Sequence, residues 1–206
     1  MTATMVAPRI DRSPGPTTPR ARAASIGLWV FMGVVTALFS LFAMAYLMRM
    51  NSTDAVTLAL PWQLWLSTAL LVAGSVTLQR AGAAARRVDA TRAHGLLLAG
   101  GICAIAFLCV QLWAWRVMLN AQVVPAGNPA GSFFYLLTAM HGLHVAGGLI
   151  AWAWVMRTFP REAADGGWRI ALCARYWHFM LAVWLALFAL LAWVTPEVAR
   201  LICGTV

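Results

Sequence analysis

Five long apolar runs, separated by short polar or arginine-bearing connections, set the pattern of this chain: approximately Ile26 to Met48, Pro61 to Leu78, Gly95 to Val117, Ser132 to Met156 and Leu172 to Val194. Each is close to the ~20 residues that cross a bilayer as a helix. Lipid offers the backbone no hydrogen-bond partner, so such segments close their bonds internally and are helical. The pattern predicts an all-α integral membrane protein, a bundle of five transmembrane helices over residues 25–206. Ahead of it, residues 1–24 carry Pro8, Pro14, Pro16 and Pro19 among Ser, Thr and Arg, a composition that predicts a flexible tail. The first run follows Arg20 and Arg22 and contains Ala43-Met44-Ala45, which resembles a signal-peptidase site. The run is longer than a signal-peptide core, and a retained anchor is the expectation.

Composition agrees with a lipid solvent: of 206 residues, 62% are hydrophobic and only 10% charged, against about 25% charged in soluble domains. The formal charge of +9 is the excess of 15 basic residues, all arginine, over 6 acids, and the clustering of the arginines between apolar runs points to membrane topology rather than to nucleic acid. The tail holds Arg9, Arg12, Arg20 and Arg22, the second connection Arg80, Arg86, Arg87 and Arg92, and the fourth Arg157, Arg161, Arg169 and Arg175. All of these fall on one side of the predicted bundle, leaving Arg49, Arg116 and Arg200 for the other. The positive-inside rule then predicts a cytoplasmic N-terminus and a periplasmic C-terminus. Tryptophans follow the same frame, with Trp62, Trp65, Trp113, Trp115 and Trp193 toward the outer belt and Trp29, Trp152, Trp154, Trp168 and Trp177 toward the inner one. Trp184 alone falls near a helix middle. Residues Ala81 to Ala93 are expected to form a helical, arginine-bearing connector at the inner surface.

Chemistry-bearing residues are sparse. Asp11, Asp54, Asp89, Glu162, Asp165 and Glu197 all lie outside the predicted spans, which argues against a pump or carrier that needs ionisable groups at depth. No internal repeat suggests the inverted halves of many transporters. Cys103, Cys109, Cys173 and Cys203 show no metal-ligand spacing, and the ten methionines read as core filling. His141 and His144 lie about one turn apart in the fourth run and His178 in the fifth. Measured from the inner ends of the predicted helices, His144 lies roughly 18 Å deep and His178 roughly 9 Å. That difference argues against one shared metal site, and hydrogen bonding to neighbouring helices or lipid headgroups is the expectation instead. Small residues at Ala139, Gly142 and Ala146, and at Ala182, Ala186 and Ala189, predict close helix contacts within the bundle.

The stretch from Asn128 to Gly148, with Ser-Phe-Phe-Tyr-Leu-Leu-Thr followed by His-Gly-Leu-His-Val and paired glycines, resembles the signature helix of the haem-copper oxidase subunit III family. Gly27-Leu28-Trp29-Val30-Phe31, Leu66-Ser67-Thr68 with Ser75-Val76-Thr77, Gln111-Leu112-Trp113-Ala114-Trp115 and Tyr176-Trp177-His178-Phe179 with Trp184 are similar to that family's other helices. The helix count resembles the short five-helix bacterial form. The resemblance implies an accessory subunit of a bacterial haem-copper terminal oxidase, in the inner membrane, packed against catalytic subunit I and other oxidase subunits and against membrane lipids. It implies no catalytic, cofactor or metal residue in this chain, with haem and copper in the partner and phospholipid as a ligand. Tyr135, Thr138, His141, Gly142, His144, Trp177, His178 and Trp184 are the signature positions, expected to act in structure or lipid contact. Val35 and Leu181 stand where the family commonly carries a membrane Glu and Asp. A related subunit of a nitric oxide reductase system is the neighbouring alternative, and a stand-alone haem- or copper-binding membrane protein the alternative of a different class.

Overall fold

The computed structural model describes residues 19–51, 60–87, 89–123, 129–159, 167–194 and 197–198. Asp11, Asp54, Glu162, Asp165, Cys203 and the tail before Pro19 lie outside the described residues. Among the described residues the elements are five helices: α1 (Pro19–Met50), α2 (Gln63–Arg86), α3 (Ala90–Asn120), α4 (Pro129–Thr158) and α5 (Gly167–Trp193). Four of them, all but α2, are long and apolar enough to cross a membrane, so this is a multi-pass membrane protein built as an all-α bundle.

Every helix outruns its apolar segment at the arginine-rich end. Helix α1 starts at Pro19, inside the stretch expected to be tail, because proline is tolerated in a first helical turn where its missing N–H would be unpaired anyway. The expected connector Ala81 to Ala93 is no separate element. Helix α2 runs on to Arg86, and α3 begins at Ala90 after Asp89 caps it, its carboxylate accepting the Arg92 N–H at 3.1 Å. The backbone N–H groups of Arg87 and Asp89 both donate to the Ala84 carbonyl, closing the turn. At its far end α3 stops where Gln122 takes a left-handed φ of 60° and the Val123 N–H returns to the Met118 carbonyl.

Helices α2, α3, α4 and α5 close a ring, each touching the next and α5 returning to α2, while α1 leans on α4 and α5. Glycines set the spacing inside that ring. A Cβ on Gly100 would lie 2.6 Å from Leu78 Cγ, so α2 and α3 approach more closely than any larger residue allows. A Cβ on Gly101 would overlap the Trp152 ring, whose Nε1 donates to the Leu97 carbonyl at 2.8 Å. A Cβ on Gly148 would meet Tyr176 at 2.6 Å. Three of the four ring contacts are therefore small-against-large fits, the means by which helices associate where no water drives them together.

The stripe Ala182, Ala186 and Ala189 does not pack inside the bundle as expected. Ala182 and Ala186 are exposed, because Trp184 and Leu187 occupy the inward positions of α5. Trp177 is likewise no belt residue: it is 1% exposed and sits against Gly148 in the core.

Candidate functional site

Helix α4 carries most of the signature, and its inward face builds the centre of the bundle. The Tyr135 hydroxyl donates to the Val123 carbonyl at 2.9 Å, pinning the start of α4 to the end of α3. One turn deeper, Thr138 accepts the Trp115 indole N–H at 3.0 Å while its own hydroxyl donates to the Phe134 carbonyl. His141 follows, fully buried, with Trp184, Phe107 and Phe39 rings 5.1, 5.7 and 6.4 Å away. Neither of its ring nitrogens finds a hydrogen-bond partner among the described residues. The expectation of a hydrogen bond to a neighbouring helix or a lipid headgroup therefore finds no support at His141 among the described residues, where three aromatic rings flank the imidazole.

The other two histidines do find partners, on opposite sides. His144 Nδ1 pairs with the Met140 carbonyl of its own helix at 2.7 Å, and its ring lies beside Phe31 and Phe39 of α1. His178 bonds Ser75 Oγ through Nδ1 and Gln79 Oε1 through Nε2, both on α2. The 9 Å depth difference expected between them is about halved: from the inner ends of the observed helices His144 lies fourteen residues deep and His178 eleven, a gap of about 4.5 Å. The Tyr176 hydroxyl donates to the His144 carbonyl at 2.8 Å, and His178 is only two residues farther along. The gap shrinks because α5 begins five residues before its apolar run whereas α4 ends only two residues after its own. The two rings are also kept apart sideways, one facing α1 and the other α2. Among the described residues no three His, Cys, Asp or Glu side chains converge as metal ligands would.

Trp184 completes the pattern by donating its Nε1–H to Thr68 of α2 at 2.8 Å. Gly142 is the one small signature residue with room beside it: an added Cβ meets nothing nearer than Leu108 at 3.8 Å. Trp177, by contrast, needs the gap that Gly148 leaves. Among these positions Tyr135 and Thr138 link α4 to α3, and His178 and Trp184 link α5 to α2.

A second feature opens on the outside of the ring. Between α1, α4 and α5 runs a groove of about 730 Å³, nearly all apolar, walled by Leu28, Phe31, Gly147, Ile150 and Tyr176. Nothing lies within 4 Å of where a Cβ on Gly147 would sit, so the missing side chain widens the groove. At its arginine-rich end Arg169 stacks over Trp154 at 4.6 Å and Trp168 at 5.3 Å. Nearby Arg175 donates to Ser25 at 3.1 Å and covers Trp29 at 5.7 Å. Stacking on aromatic faces holds guanidinium groups at the edge of an apolar slot. An acyl chain with an anionic head matches that arrangement.

Sequence reasoning missed this groove and three of the ties: Trp152 to Leu97, Tyr176 to His144, and Trp115 to Thr138. Paired Gly100 and Gly101 in α3 were the available signal for the first, since a close approach needs a large partner. The groove had no signal, because its walls come from three helices that are distant in the chain.

The family profile for cytochrome c oxidase subunit III matches residues 26–195 of this chain. A probable cytochrome c oxidase subunit 3 of Mycobacterium tuberculosis (strain H37Rv) is 31% identical over 130 residues, covering 60% of this chain and 62% of that protein. The probable subunit 3 of Nocardia farcinica is 32% identical over 124 residues, 59% of this chain and 61% of the relative. Mycobacterium leprae has another, 29% identical over 126 residues, with 60% and 62% covered. The chain thus spans less than two thirds of the length of the curated relatives it matches.

Proposed function

Because this chain belongs to the cytochrome c oxidase subunit III family, we propose that it serves as the accessory, non-redox subunit III of a bacterial haem-copper terminal oxidase. It braces the catalytic subunit during O₂ reduction and proton uptake, with haem and copper held by that partner. The match across residues 26–195 carries the reading, and it includes α1 from Ile26 onward, the other four helices whole and every one of the helix ties described above. The three relatives described above are oxidase subunits by name, which favours the oxidase over the nitric oxide reductase alternative. The helix ties support bracing, since they fix the shape of a bundle whose described interior gathers no metal ligands.

In this reading α2 crosses the bilayer with the other four helices. The arginine-rich ends face the cytoplasm, the C-terminus faces the periplasm, and the inner membrane is the site. The groove between α1, α4 and α5 holds a phospholipid, its acyl chain along Phe31 and Ile150 and its phosphate at Arg169 and Arg175.

Purification through a tag on this chain in mild detergent tests the main reading. A haem-bearing membrane subunit is expected to co-purify with oxidase activity, and loss of this chain is expected to shorten the working life of that activity. A chain that purifies alone from native membranes, or that itself carries stoichiometric iron or copper, would overturn it. For the lipid, native mass spectrometry of the complex is expected to show one phospholipid lost on Arg169→Gln.

A further inference from the structure

Three buried polar side chains take no part in the ties described above. Gln63 of α2, Gln111 of α3 and His141 of α4 are 3%, 5% and 0% exposed. Among the described residues, the Gln63 Oε1, both amide atoms of Gln111 and both ring nitrogens of His141 have no hydrogen-bond partner. Contacts elsewhere in the helices place all three at one level. Gln111 stands four residues from Phe107 and four from Trp115, so all three share one face of α3. Phe107 touches His141 at 5.7 Å and Trp115 bonds Thr138, which puts Gln111 between Thr138 and His141 on α4. On the other side, Gly74 of α2 meets the Gly100 carbonyl of α3. Gln63 and Gln111 lie eleven residues from those glycines toward the same end of the antiparallel pair, which is about three turns along each helix. The Trp62–Trp113 contact at 5.3 Å confirms the register.

We propose that α2, α3 and α4 enclose a small internal water site at this level, shared by Gln63, Gln111 and His141. Gln111 offers two donors and two acceptors, and a neutral imidazole one of each. Leaving such groups dry inside an apolar bundle is strongly unfavourable. Nearby hydroxyls are already committed, Ser67 donating to Leu64 and Thr138 to Phe134. Water both donates and accepts, and a buried molecule typically makes about three bonds to polar groups that lack other partners. The rings of Phe107 and Trp184 close the site toward the inner half of the bundle.

Radiolytic labelling in heavy-oxygen water tests the site in the full chain within its purified complex. Hydroxyl radicals form where bound water sits, so Trp184 is expected to take up label although it is only 1% exposed. The paired substitution Gln111→Leu and His141→Phe is expected to lower that label several-fold while the complex keeps its composition. An unlabelled Trp184 in the unaltered protein would overturn the proposal, as would label on Trp184 that survives the substitutions in an intact complex. The unaltered protein alone decides the matter if the variant does not fold.

Discussion

Helix α1 and helix α2 solve opposite problems. Helix α1 is long and apolar, yet only six of its 32 residues are buried, and Ile26, Val30, Val34, Leu41, Met44 and Met48 face outward. Helix α2 is the one helix too polar to pass as a membrane span by composition, yet ten of its 24 residues are buried. Hydropathy measures what lipid touches, whereas packing inside a membrane bundle selects small and hydrogen-bonding residues. Ser75 and Thr68 lower the apolar character of α2 and are the groups that hold His178 and Trp184. The least lipid-like helix is therefore the most firmly built in, and the most lipid-like one leans on the outside beside the groove.

The sharpest way to break this contrast is to enlarge a glycine inside the ring. Gly101→Val would drive a side chain into the Trp152 ring and is expected to lower stability by about 3 kcal/mol or to prevent assembly, as overpacking does at its upper end. The thermal midpoint of the purified complex measures it, and a midpoint unchanged from the parent would contradict the ring contacts. Next in size comes Trp184→Phe, which removes the bond to Thr68 and leaves that hydroxyl its own bond to Leu64. A loss of about 1 kcal/mol is expected, with Ser75→Ala similar through His178, both readable as earlier release of α5 in hydrogen exchange.

Gly142→Ala probes the boundary of the comparison, since the added methyl meets Leu108 only at 3.8 Å. Its effect is expected within about 0.5 kcal/mol, although a stripe of small residues at that position suggested a tight contact. The smallest response belongs to α1: Gly33→Ala has nothing within 4 Å and is expected to leave the midpoint unchanged or slightly raised. A large loss there would mean that α1 is packed against a further surface at that face.

Much of the architecture was legible from residue order because lipid is a demanding solvent. Each apolar run became a helix, and Asp89 and Glu197, the described acids, are exposed beyond the long helices. Boundaries were less legible. Helix α1 extends into residues with arginines, and α2 and α3 absorb their connector, because a helix continues past the apolar zone wherever water or headgroups accept its side chains.

What residue order determined by itself is the number of helices, their rough extent and the scarcity of charge within them, since a bilayer interior penalises unpaired backbone and unpaired charge alike. Which side of each helix turns inward was decided by the tertiary structure alone. In water an amphipathic stripe marks the buried face, but here lipid and core are equally apolar, so Trp177 and Ala186 carry no mark of inside or outside until neighbouring helices are in place. The sideways separation of His144 from His178, the aromatic enclosure of His141 and the groove beside α1 all arise at that level, from the fit of large rings over glycines.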